Sequence, residues 1–347
     1  MKKFAILILI LVSTFTMNAQ EDDGLESILY ANIQDANKLT QAYLNPGMKG
    51  LIYGMNSGWY HTAKAHKTFG FDISIGLNAS MVPSKDELFK FADLGLSSST
   101  KANYATSPTV GGTNNSAAQA TVTATAQIEG QTVSKEFKMP AGVKEDLPLN
   151  AVPTPSVQFT LGLPKQFDVM VRLVPEVGSD DVKGNLFGIG VKKEITSLFG
   201  IIEKLPIHIS LLGAYTNMDV NYNIQNESSI PGANQVATFN LNAYTVQAIA
   251  SINFPIINFY GGIGYGAGTS NLKMLGTYNL SYDTGYPPPN NKKDAPPLTD
   301  PINLDFDASG VRATLGTRLS LGFFKIFADY TVQEYNTLSA GIAFSFR

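Results

Sequence analysis

The sequence predicts an all-β protein, a transmembrane antiparallel β-barrel of about 12–14 strands with a short helical N-terminal plug and a long external loop insertion. Three observations predict this fold. One segment alternates apolar and polar residues over a length suited to a bilayer. Charged residues make up only 15% of the chain, whereas an ordinary soluble domain has about 25%. Long and short connections also alternate between the predicted strands.

The clearest strand runs from Phe69 to Met81, where every second residue is apolar. The positions between them carry small or polar residues, among them Asp72 and Ser74. A soluble strand averages about 5–6 residues, whereas a tilted strand that crosses a bilayer needs about 9–11. The length and the two-faced pattern therefore predict a strand with one face toward lipid and the other toward a lumen.

The same alternation, bounded by turn residues, predicts about twelve strands. They cover residues 51–64, 69–82, 88–96, 154–163, 167–177, 183–192, 206–222, 236–253, 256–275, 302–321, 324–334 and 336–346. If the first strand starts in the periplasm, the long polar segments 97–153, 223–235 and 276–301 all lie outside the cell. The inner connections are then short, except at 193–205. Short inner turns and long outer loops are the asymmetry expected of outer-membrane barrels.

Residues 1–20 predict a cleaved secretory signal peptide. Lys2 and Lys3 provide a positive n-region, residues 4–12 are apolar, and Ala19 lies in a small-residue end suited to cleavage. The apolar run is too short for a membrane-spanning helix, which needs about 20 residues. We therefore expect export to the outer membrane, with residues 21–50 as the plug and residues 51–347 as the barrel. The chain has no cysteine, which excludes disulfides and thiolate metal sites.

Charged side chains in the strands are expected to point inward, because an arginine on the lipid face near mid-membrane costs about 2–4 kcal/mol. The lumen-facing candidates are Asp72, Asp168, Arg172, His208, Arg312, Arg318 and Asp329. The set contains both signs of charge. It fits a salt-bridged filling of the lumen or a selective pore, and we favour the filling.

Two segments outside the strands have patterns of their own. Residues 97–153 begin with a low-complexity stretch and continue with two alternating runs around Glu129 and Gly130, which predict a hairpin. We expect this insertion to be an exposed, partly mobile projection. The connection 193–205 has apolar residues at helical spacing and predicts a short amphipathic helix at the inner rim. It could lie on the membrane or dock a partner, although we favour plain packing against the barrel mouth.

The sequence offers little chemistry. Only three histidines are present, and no zinc-protease, hydrolase-elbow or phosphate-loop motif occurs. The alternating Gly262, Gly264, Gly266 and Gly268 favour close packing inside a barrel, because no helix follows them. A lipase-like triad built on Asp72 and Ser74 has no geometric support. We therefore expect no enzyme activity, no cofactor and no metal, and the net charge of −3 argues against nucleic-acid binding.

The segment before the first predicted strand resembles a known family. Residues 21–44 predict short helices, and Asn45, Pro46 and Gly47 follow them. This arrangement resembles the long-chain fatty-acid transporter superfamily and its uncharacterised outer-membrane relatives, whose plug, or hatch, carries an Asn-Pro-Ala turn ahead of the first strand. The resemblance implies that Asn45, Pro46 and Gly47 form a hatch turn. It also implies a barrel that passes hydrophobic compounds from outside toward a lateral exit.

Three functions remain open from the sequence. The first is passive uptake of a hydrophobic, fatty-acid-like small molecule, since a barrel this wide is either open or closed by an insert. The second is a platform for assembly, secretion or adhesion, with a protein partner bound through loop 97–153. The third and weakest is an outer-membrane hydrolase using Ser74 or His208. All three place outer-membrane lipids around the barrel.

Overall fold

The computed structural model describes residues 25–179, 181–224 and 228–346. The predicted signal peptide at residues 1–20 lies outside the described residues. The described chain begins with a short 3-10 helix, Leu25–Tyr30, followed by the long helix α1, Ile33–Met55. The side-chain oxygen of Asn32 accepts a hydrogen bond from the Asp35 backbone N–H at 3.0 Å, which caps α1 as asparagine commonly does.

Asn45, Pro46 and Gly47 lie inside α1, so the predicted turn at these residues is wrong. Pro46 has no backbone N–H to donate, and its ring disfavours an uninterrupted helix. Pro46 leaves the Ala42 carbonyl without its helical donor, and next to it the backbone N–H of Val110, in the insertion at residues 97–153, donates to the Tyr43 carbonyl at 2.9 Å. A tertiary contact therefore supports the helix where its local sequence is unfavourable.

The strands follow in chain order. They are β1 Phe71–Ser80, β2 Leu88–Lys90, β3 Thr100–Ala102, β4 Thr106–Pro108, β5 Thr121–Ile128, β6 Gln131–Lys138, β7 Val152–Leu163, β8 Phe167–Gly178, β9 Val182–Glu194, β10 Ile207–Asn223, β11 Gly232–Asn253, β12 Ile257–Tyr278, β13 Ser281–Asp283, β14 Lys292–Asp294, β15 Leu298–Thr299, β16 Ile302–Leu321, β17 Phe324–Val332 and β18 Thr337–Phe346. Further 3-10 helices cover Ser84–Asp86, Phe91–Leu94, Ser116–Ala118, Lys144–Asp146, Pro148–Asn150 and Thr196–Lys204.

The long strands form a closed antiparallel ring. The main sheet has eleven strands, and without the two-residue β15 the remaining ten follow the order β1, β7, β8, β9, β10, β11, β12, β16, β17, β18. β18 pairs with β1 and closes the ring, joining Phe346 to Phe71 at its first position. The all-β barrel fold is therefore confirmed.

The ring has ten described strands instead of the predicted twelve to fourteen. Two of the twelve predicted strands, at residues 51–64 and 88–96, are not strands of the ring. Residues 51–55 are the last turn of α1, and residues 56–70 form neither helix nor strand. Residues 88–96 contain only the short β2 and a 3-10 turn outside the ring. Leu51, Ile52 and Met55 are buried. Helix α1 is enclosed by the ring, so an apolar run that resembled a strand is a buried helix, and the barrel begins at Phe71 instead of residue 51.

Connection lengths distinguish the two ends of the ring. At one end, residues 164–166, 195–206, 254–256 and 322–323 join neighbouring strands, and we call this the short-turn end. At the other end, residues 81–151, 224–231 and 279–301 form the long connections, and we call this the long-loop end. The predicted sorting is confirmed for the three long polar segments, which all lie at the long-loop end, and the predicted exception persists as the connection 195–206 at the short-turn end. The connections from β8 to β9 and from β17 to β18, also at the long-loop end, are short. The sorting survives the wrong strand count because removing two strands leaves the alternation unchanged.

Helix α1 and residues 56–70 occupy the inside of the ring. Near the start of α1, the Lys38 ammonium donates to the Gly95 carbonyl in a long loop at 2.6 Å. Near the other end of this path, the Ala65 backbone N–H donates to the Glu194 carboxylate at 2.8 Å, at the last residue of β9. The chain therefore runs through the lumen from the long-loop end to the short-turn end before β1 begins.

The insertion between β1 and β7 forms a folded cap. The predicted hairpin is confirmed as β5 and β6, which join β3, β13 and β14 in a five-stranded sheet. Val122, Val133 and Phe137 of this sheet are buried in one cluster with Leu29 and Leu39 of the plug. The expectation of an exposed projection is therefore wrong, because apolar alternation in the hairpin gives it a face that packs over the lumen.

The predicted amphipathic connector is a 3-10 helix, Thr196–Lys204. The Thr196 hydroxyl accepts from the Ile209 backbone N–H at 2.9 Å and so fixes the connector to β10. Leu198 and Phe199, however, are exposed. The favoured packing of this connector against the barrel mouth is therefore wrong for these two side chains, which point away from the protein.

The outer face of the ring is apolar. Exposed side chains around it include Ile73, Phe187, Ile189, Leu211, Val246, Ile263, Val311, Leu315, Ile326 and Val332. Monomeric soluble proteins rarely expose contiguous apolar patches larger than a few hundred Å². A ring of paired strands can place such a face in hydrocarbon because its backbone groups bond to one another. The chain is therefore an outer-membrane-type β-barrel.

No helix in the described part of the chain combines the length and the hydropathy needed to cross a membrane.

Candidate functional site

The inner face of the ring carries the side chains that the sequence analysis placed there. Cross-strand pairs such as Asp72 with Thr160, Asp168 with Lys192 and Asn258 with Arg318 fix which positions share this face. Among the candidates, five are buried and two are half-buried. The buried ones are Asp72, Asp168, Arg172, Arg312 and Asp329, and the half-buried ones are His208 and Arg318.

His66 joins two strands to the plug in the short-turn half of the lumen. Its Nε2 lies 3.1 Å from a carboxylate oxygen of Asp72, and its Nδ1 lies 3.1 Å from one of Asp168. The His66 backbone N–H also donates to Asp168 at 2.9 Å. Because both ring nitrogens face carboxylates, which only accept, both must carry a proton. The geometry therefore holds His66 as an imidazolium between β1 and β8.

Further charged groups extend this network. The Lys192 ammonium lies 2.9 Å from Asp168 and donates to the Lys64 carbonyl at 3.0 Å. On the other side, Nε2 of His61 lies 3.3 Å from Asp72. Nδ1 of His61 lies 3.0 Å from an Arg318 guanidinium nitrogen, which can only donate. A neutral His61 with its proton on Nε2 satisfies both contacts.

His208 contributes a separate link at the same end. Its Nδ1 lies 2.7 Å from the Glu194 carboxylate, which also accepts from the Ala65 backbone N–H. Glu194 thus connects β9, β10 and the plug. Among the described residues, no group of three or more His, Cys, Asp and Glu side chains could hold a metal ion.

Two buried arginines bind the C-terminal end of α1. Arg172 donates to the Met55 carbonyl at 3.2 Å and to the Ser57 carbonyl at 3.0 Å. Arg312 donates to the Asn56 carbonyl at 2.8 Å. The last carbonyls of a helix lack partners within the helix and carry partial negative charge, so cations stabilise them. The barrel wall therefore supplies the C-terminal capping groups of its own plug.

The glycine face of β12 lets the plug approach the wall closely. A Cβ atom at Gly268 would lie 2.6 Å from the Asn242 carbonyl oxygen of β11 and 2.7 Å from Cγ2 of Ile52, and one at Gly266 would lie 3.2 Å from Nδ2 of Asn56. These separations are too short for a side chain unless its neighbour moves. The predicted role of the alternating glycines in close packing is confirmed at these positions.

The long-loop half of the lumen has the opposite polarity. Inward positions of β9 to β12 and β16 there carry apolar side chains, all of which belong to one cluster with α1 and the cap. They include Leu186, Met218, Val220, Phe239, Leu241, Leu272, Leu304 and Phe306. The lumen is therefore charged toward the short-turn end and apolar toward the long-loop end.

The ring has an incomplete wall between β7 and β8. Their register runs from Leu163↔Phe167 to Gln158↔Arg172 and stops there. Beyond it, residues 152–157 of β7 pair only with β1, and residues 173–178 of β8 pair only with β9. We call this unpaired stretch the seam. It lies in the long-loop half, beside the apolar part of the lumen.

Three prolines explain why the ladder stops. The Gly162 N–H bonds to the Gly70 carbonyl, on the side of β1. Because successive residues of a strand direct their backbone N–H groups to alternate sides, the odd-numbered residues of β7 direct theirs toward β8. Pro153 and Pro155 are at such positions, and Pro175 lies at a position of β8 whose backbone groups are directed toward β7. Proline has no N–H, so it removes ladder bonds and is confined to strand edges and bulges. The facing edges of the seam are therefore unable to pair fully.

Sequence reasoning missed the seam and the His66 network. Pro155 and Pro175 were visible inside two predicted strands and Pro153 just before one of them, and the rule that proline marks a strand edge could have located the seam. His66 precedes the alternating segment. No spacing rule connects it with Asp168, which is 102 residues away in sequence. Only the closed ring brings these two residues together.

The model of a family of unknown function, DUF6588, matches residues 1–346. The chain belongs to this family. A search of the curated proteins found no match. The description of the family names no activity, so the resemblance to the long-chain fatty-acid transporter superfamily stays a hypothesis.

Solved structures with similarity to the chain are bacterial barrel proteins. The attachment invasion locus protein Ail of Yersinia pestis is 10% identical, with 81% of this chain and 100% of that chain covered at a TM-score of 0.28. The translocator domain of autotransporter NalP from Neisseria meningitidis is 10% identical, with 81% and 90% covered at 0.29. The outer membrane protease OmpT from Escherichia coli is 8% identical, with 81% and 99% covered at 0.29. At these TM-scores, the likenesses carry no argument about function.

Proposed function

We propose that this outer-membrane barrel is a channel for passive uptake of hydrophobic, fatty-acid-like small molecules. The seam carries the proposal, because it is an interruption of the wall beside an apolar lumen. Molecules would enter from the long-loop side and leave sideways, between residues 152–157 and 173–178, into the membrane.

The filling of the short-turn half supports a lateral route over an axial one. An apolar molecule moving straight down the lumen would meet the buried charges around His66 and the arginines that cap α1. The charges around His66 are paired with one another, and the arginines bond to backbone carbonyls. Displacing them would leave buried charges unpaired, at a cost of about 3–5 kcal/mol for each broken pair. An exit through the seam, which lies in the long-loop half, avoids that cost.

The apolar half supports the choice of ligand. Side chains such as Leu186, Met218 and Phe239 pack against α1 and the cap, and they are of the apolar kind that lines most small-molecule sites. An acyl chain would replace part of that packing with contacts of the same chemistry. Val174 faces inward at the seam and packs against the same cluster. An apolar ligand would therefore have a continuous apolar surface from the long-loop half of the lumen to the seam.

The experiment closes the seam covalently. Val157 and Leu173 are the first pair beyond the end of the register, and the chain has no cysteine of its own. We expect the variant V157C/L173C, joined as a disulfide or with a short bismaleimide, to take up radiolabelled oleate at least about tenfold more slowly in cells. Reduction of the disulfide should restore uptake.

The matched control is the variant F159C/V171C, which bridges a pair that the ladder already joins. Its cross-link should leave uptake unchanged. Equal uptake by the open and the bridged V157C/L173C barrel, with bridging verified by mass spectrometry, would contradict lateral passage.

The folded cap supports a second candidate, a platform for a protein partner. Its sheet presents exposed strand surface at the long-loop end while its other face packs on the plug. If this is the function, replacing residues 114–138 with a short linker should abolish partner binding and leave oleate uptake unchanged. Loss of uptake with no change in binding would favour the channel.

A further inference from the structure

The short-turn end carries a ring of exposed or half-buried lysines. They are Lys64 and Lys67 in the plug, Lys165 in the turn after β7, Lys193 in β9 and Lys325 in β17. The acidic residues that are described at this end, Asp72, Asp168 and Glu194, are buried and already bonded within the lumen. Among the side chains described at this rim, the exposed charge is therefore positive.

The connector Thr196–Lys204 adds an apolar element beside this charge. Leu198 is 77% exposed and Phe199 is 47% exposed. The connector follows β9 and precedes β10. Val191 of β9 and Leu211 of β10 point outward and are part of the lipid-facing band. The apolar face of the barrel is thus continuous with the connector, beyond the last paired residues of the strands.

We infer that the short-turn rim is a binding surface for anionic phospholipid headgroups of the inner leaflet, with Leu198 and Phe199 inserted among the adjoining acyl chains. Two independent observations support this occupant. The lysines complement phosphate charge, and basic residues near an anionic leaflet attract its lipids. The apolar connector continues a surface that already faces lipid, as in interfacial segments that lie in the headgroup region.

The lysines are well placed for this contact. Lys193 lies over the Phe167 ring, with its nitrogen 4.7 Å from the ring centre. A lysine near the membrane surface lays its apolar stem along apolar groups and keeps its charged end in the polar region. Such a side chain keeps its charge near the headgroups while its stem covers apolar surface. The inference is independent of what the lumen carries.

The first test counts bound lipid. The purified barrel is exchanged from mixed phosphatidylglycerol and phosphatidylcholine into neutral detergent, and retained lipid is quantified by mass spectrometry. We expect the variant K64Q/K67Q/K165Q to retain at least about fivefold less phosphatidylglycerol, with phosphatidylcholine unchanged. A matched variant, K90Q/K101Q/K138Q, changes three lysines of the cap and should retain as much phosphatidylglycerol as the parent.

Equal phosphatidylglycerol retention by all three proteins would overturn the inference. So would retention that depends on the cap lysines, because that would assign the lipid to the outer end. The variants are compared only where the unboiled protein keeps its folded mobility on a denaturing gel.

The second test measures the depth of the connector. In vesicles, L198C labelled with a fluorophore sensitive to polarity should emit at shorter wavelength than the same label at an exposed position of the cap, and it should be quenched by lipids spin-labelled near the headgroup. Leu149 in the cap is also strongly exposed, and L149C gives the matched control without quenching. Solvent-like emission and no quenching at position 198 would show that the connector faces water.

Discussion

Arg172 lies over the indole ring of Trp59, with its guanidinium carbon 3.8 Å from the ring centre. Its Nε also donates to the side chain of Gln158 at 3.0 Å. Gln158 and Arg172 form the last cross-strand pair before the seam. Arg172 therefore lies in the last pair of the β7–β8 ladder, caps α1 and stacks on Trp59 of the plug. These contacts couple the position of the plug to the border between the ladder and the seam.

Replacing Arg172 by methionine should destabilise the plug. The change keeps much of the stem but removes the donors to the carbonyls of Met55 and Ser57. The Met55 carbonyl keeps the bond from the Trp59 indole N–H, whereas the Ser57 carbonyl loses the bond that Arg172 donates. We expect a loss of about 2–4 kcal/mol in the free energy of unfolding. Urea titration followed by the mobility shift of unboiled protein on a denaturing gel measures it.

The conservative variant R172K tests the geometry. Lysine keeps the charge but cannot reproduce the planar fork that bonds two carbonyls and stacks on a ring. R172K should therefore lie between wild type and R172M. If R172K is as stable as wild type, charge alone explains the role of Arg172 and the stacking contributes nothing.

A larger side chain on the glycine face of β12 should displace the plug. In G268L the new side chain would overlap Ile52 of the plug and the Asn242 carbonyl of β11, and overpacking of this kind costs about 1–3 kcal/mol. We expect higher leak conductance of the purified barrel in planar bilayers. The control is G213L on β10, where a Cβ atom meets nothing within 4 Å. Equal conductance of the two variants would exclude close packing as the reason for the glycines.

Restoring backbone donors at the seam should extend the ladder. The triple variant P153V/P155V/P175V supplies three N–H groups on the two facing edges, where valine also favours strand conformation. We expect slower oleate uptake together with higher stability toward urea. Amide hydrogen exchange of residues 173–178 should slow as well. A variant with full uptake and newly protected amides would separate the seam from transport.

The stability of the outer mouth should depend on acid pH through Asp35. Burial raises the pKa of Asp35, but hydrogen bonds from Ser97 and Asn32 outweigh burial and bring the pKa below its usual value. A carboxyl whose pKa is lower in the folded state stabilises the fold above its unfolded pKa, about 3.9. That stabilisation is lost as the pH falls through the folded pKa.

The measurement compares wild type with D35N between pH 7 and pH 3. At pH 7 wild type should be the more stable protein, because D35N loses the charge-assisted bonds to the backbone and hydroxyl of Ser97. The difference should shrink on acidification. A difference that is constant with pH would assign the role of Asp35 to shape instead of charge.

The barrel wall was predictable because its pattern is strict. A period of two, together with the cost of charge in lipid, places Asp72, Asp168 and Arg312 on the inner face without knowledge of their partners. The sorting of loops by length needs only the order of strands. These features depend on the pattern of neighbouring residues and on the lipid that surrounds the barrel, and both can be inferred from one sequence.

The contents of the barrel were not predictable in the same way. Leu51, Ile52 and Tyr53 lie in the last turn of α1, where every residue is buried, so no polar face reveals the helical period there. Pro46 would end an exposed helix, but here Val110 supplies a bond from a loop. The contacts of His66 with Asp72 and Asp168 exist only once the ring has closed. Such features depend on distant residues, which no local pattern encodes.

The path of the amino-terminal segment restricts the order of assembly. Glu26 bonds to the Ser229 backbone at 2.9 Å in a long loop, whereas β1 starts at the opposite end of the ring. Closure needs β1 and β18, the first and last barrel strands of the chain, and it encloses everything between those ends. The wall must therefore close around a segment already in position, or that segment must later be drawn through a finished ring. Glycines on β12 and capping arginines on the wall favour the first order, in which the plug serves as the core on which the strands assemble.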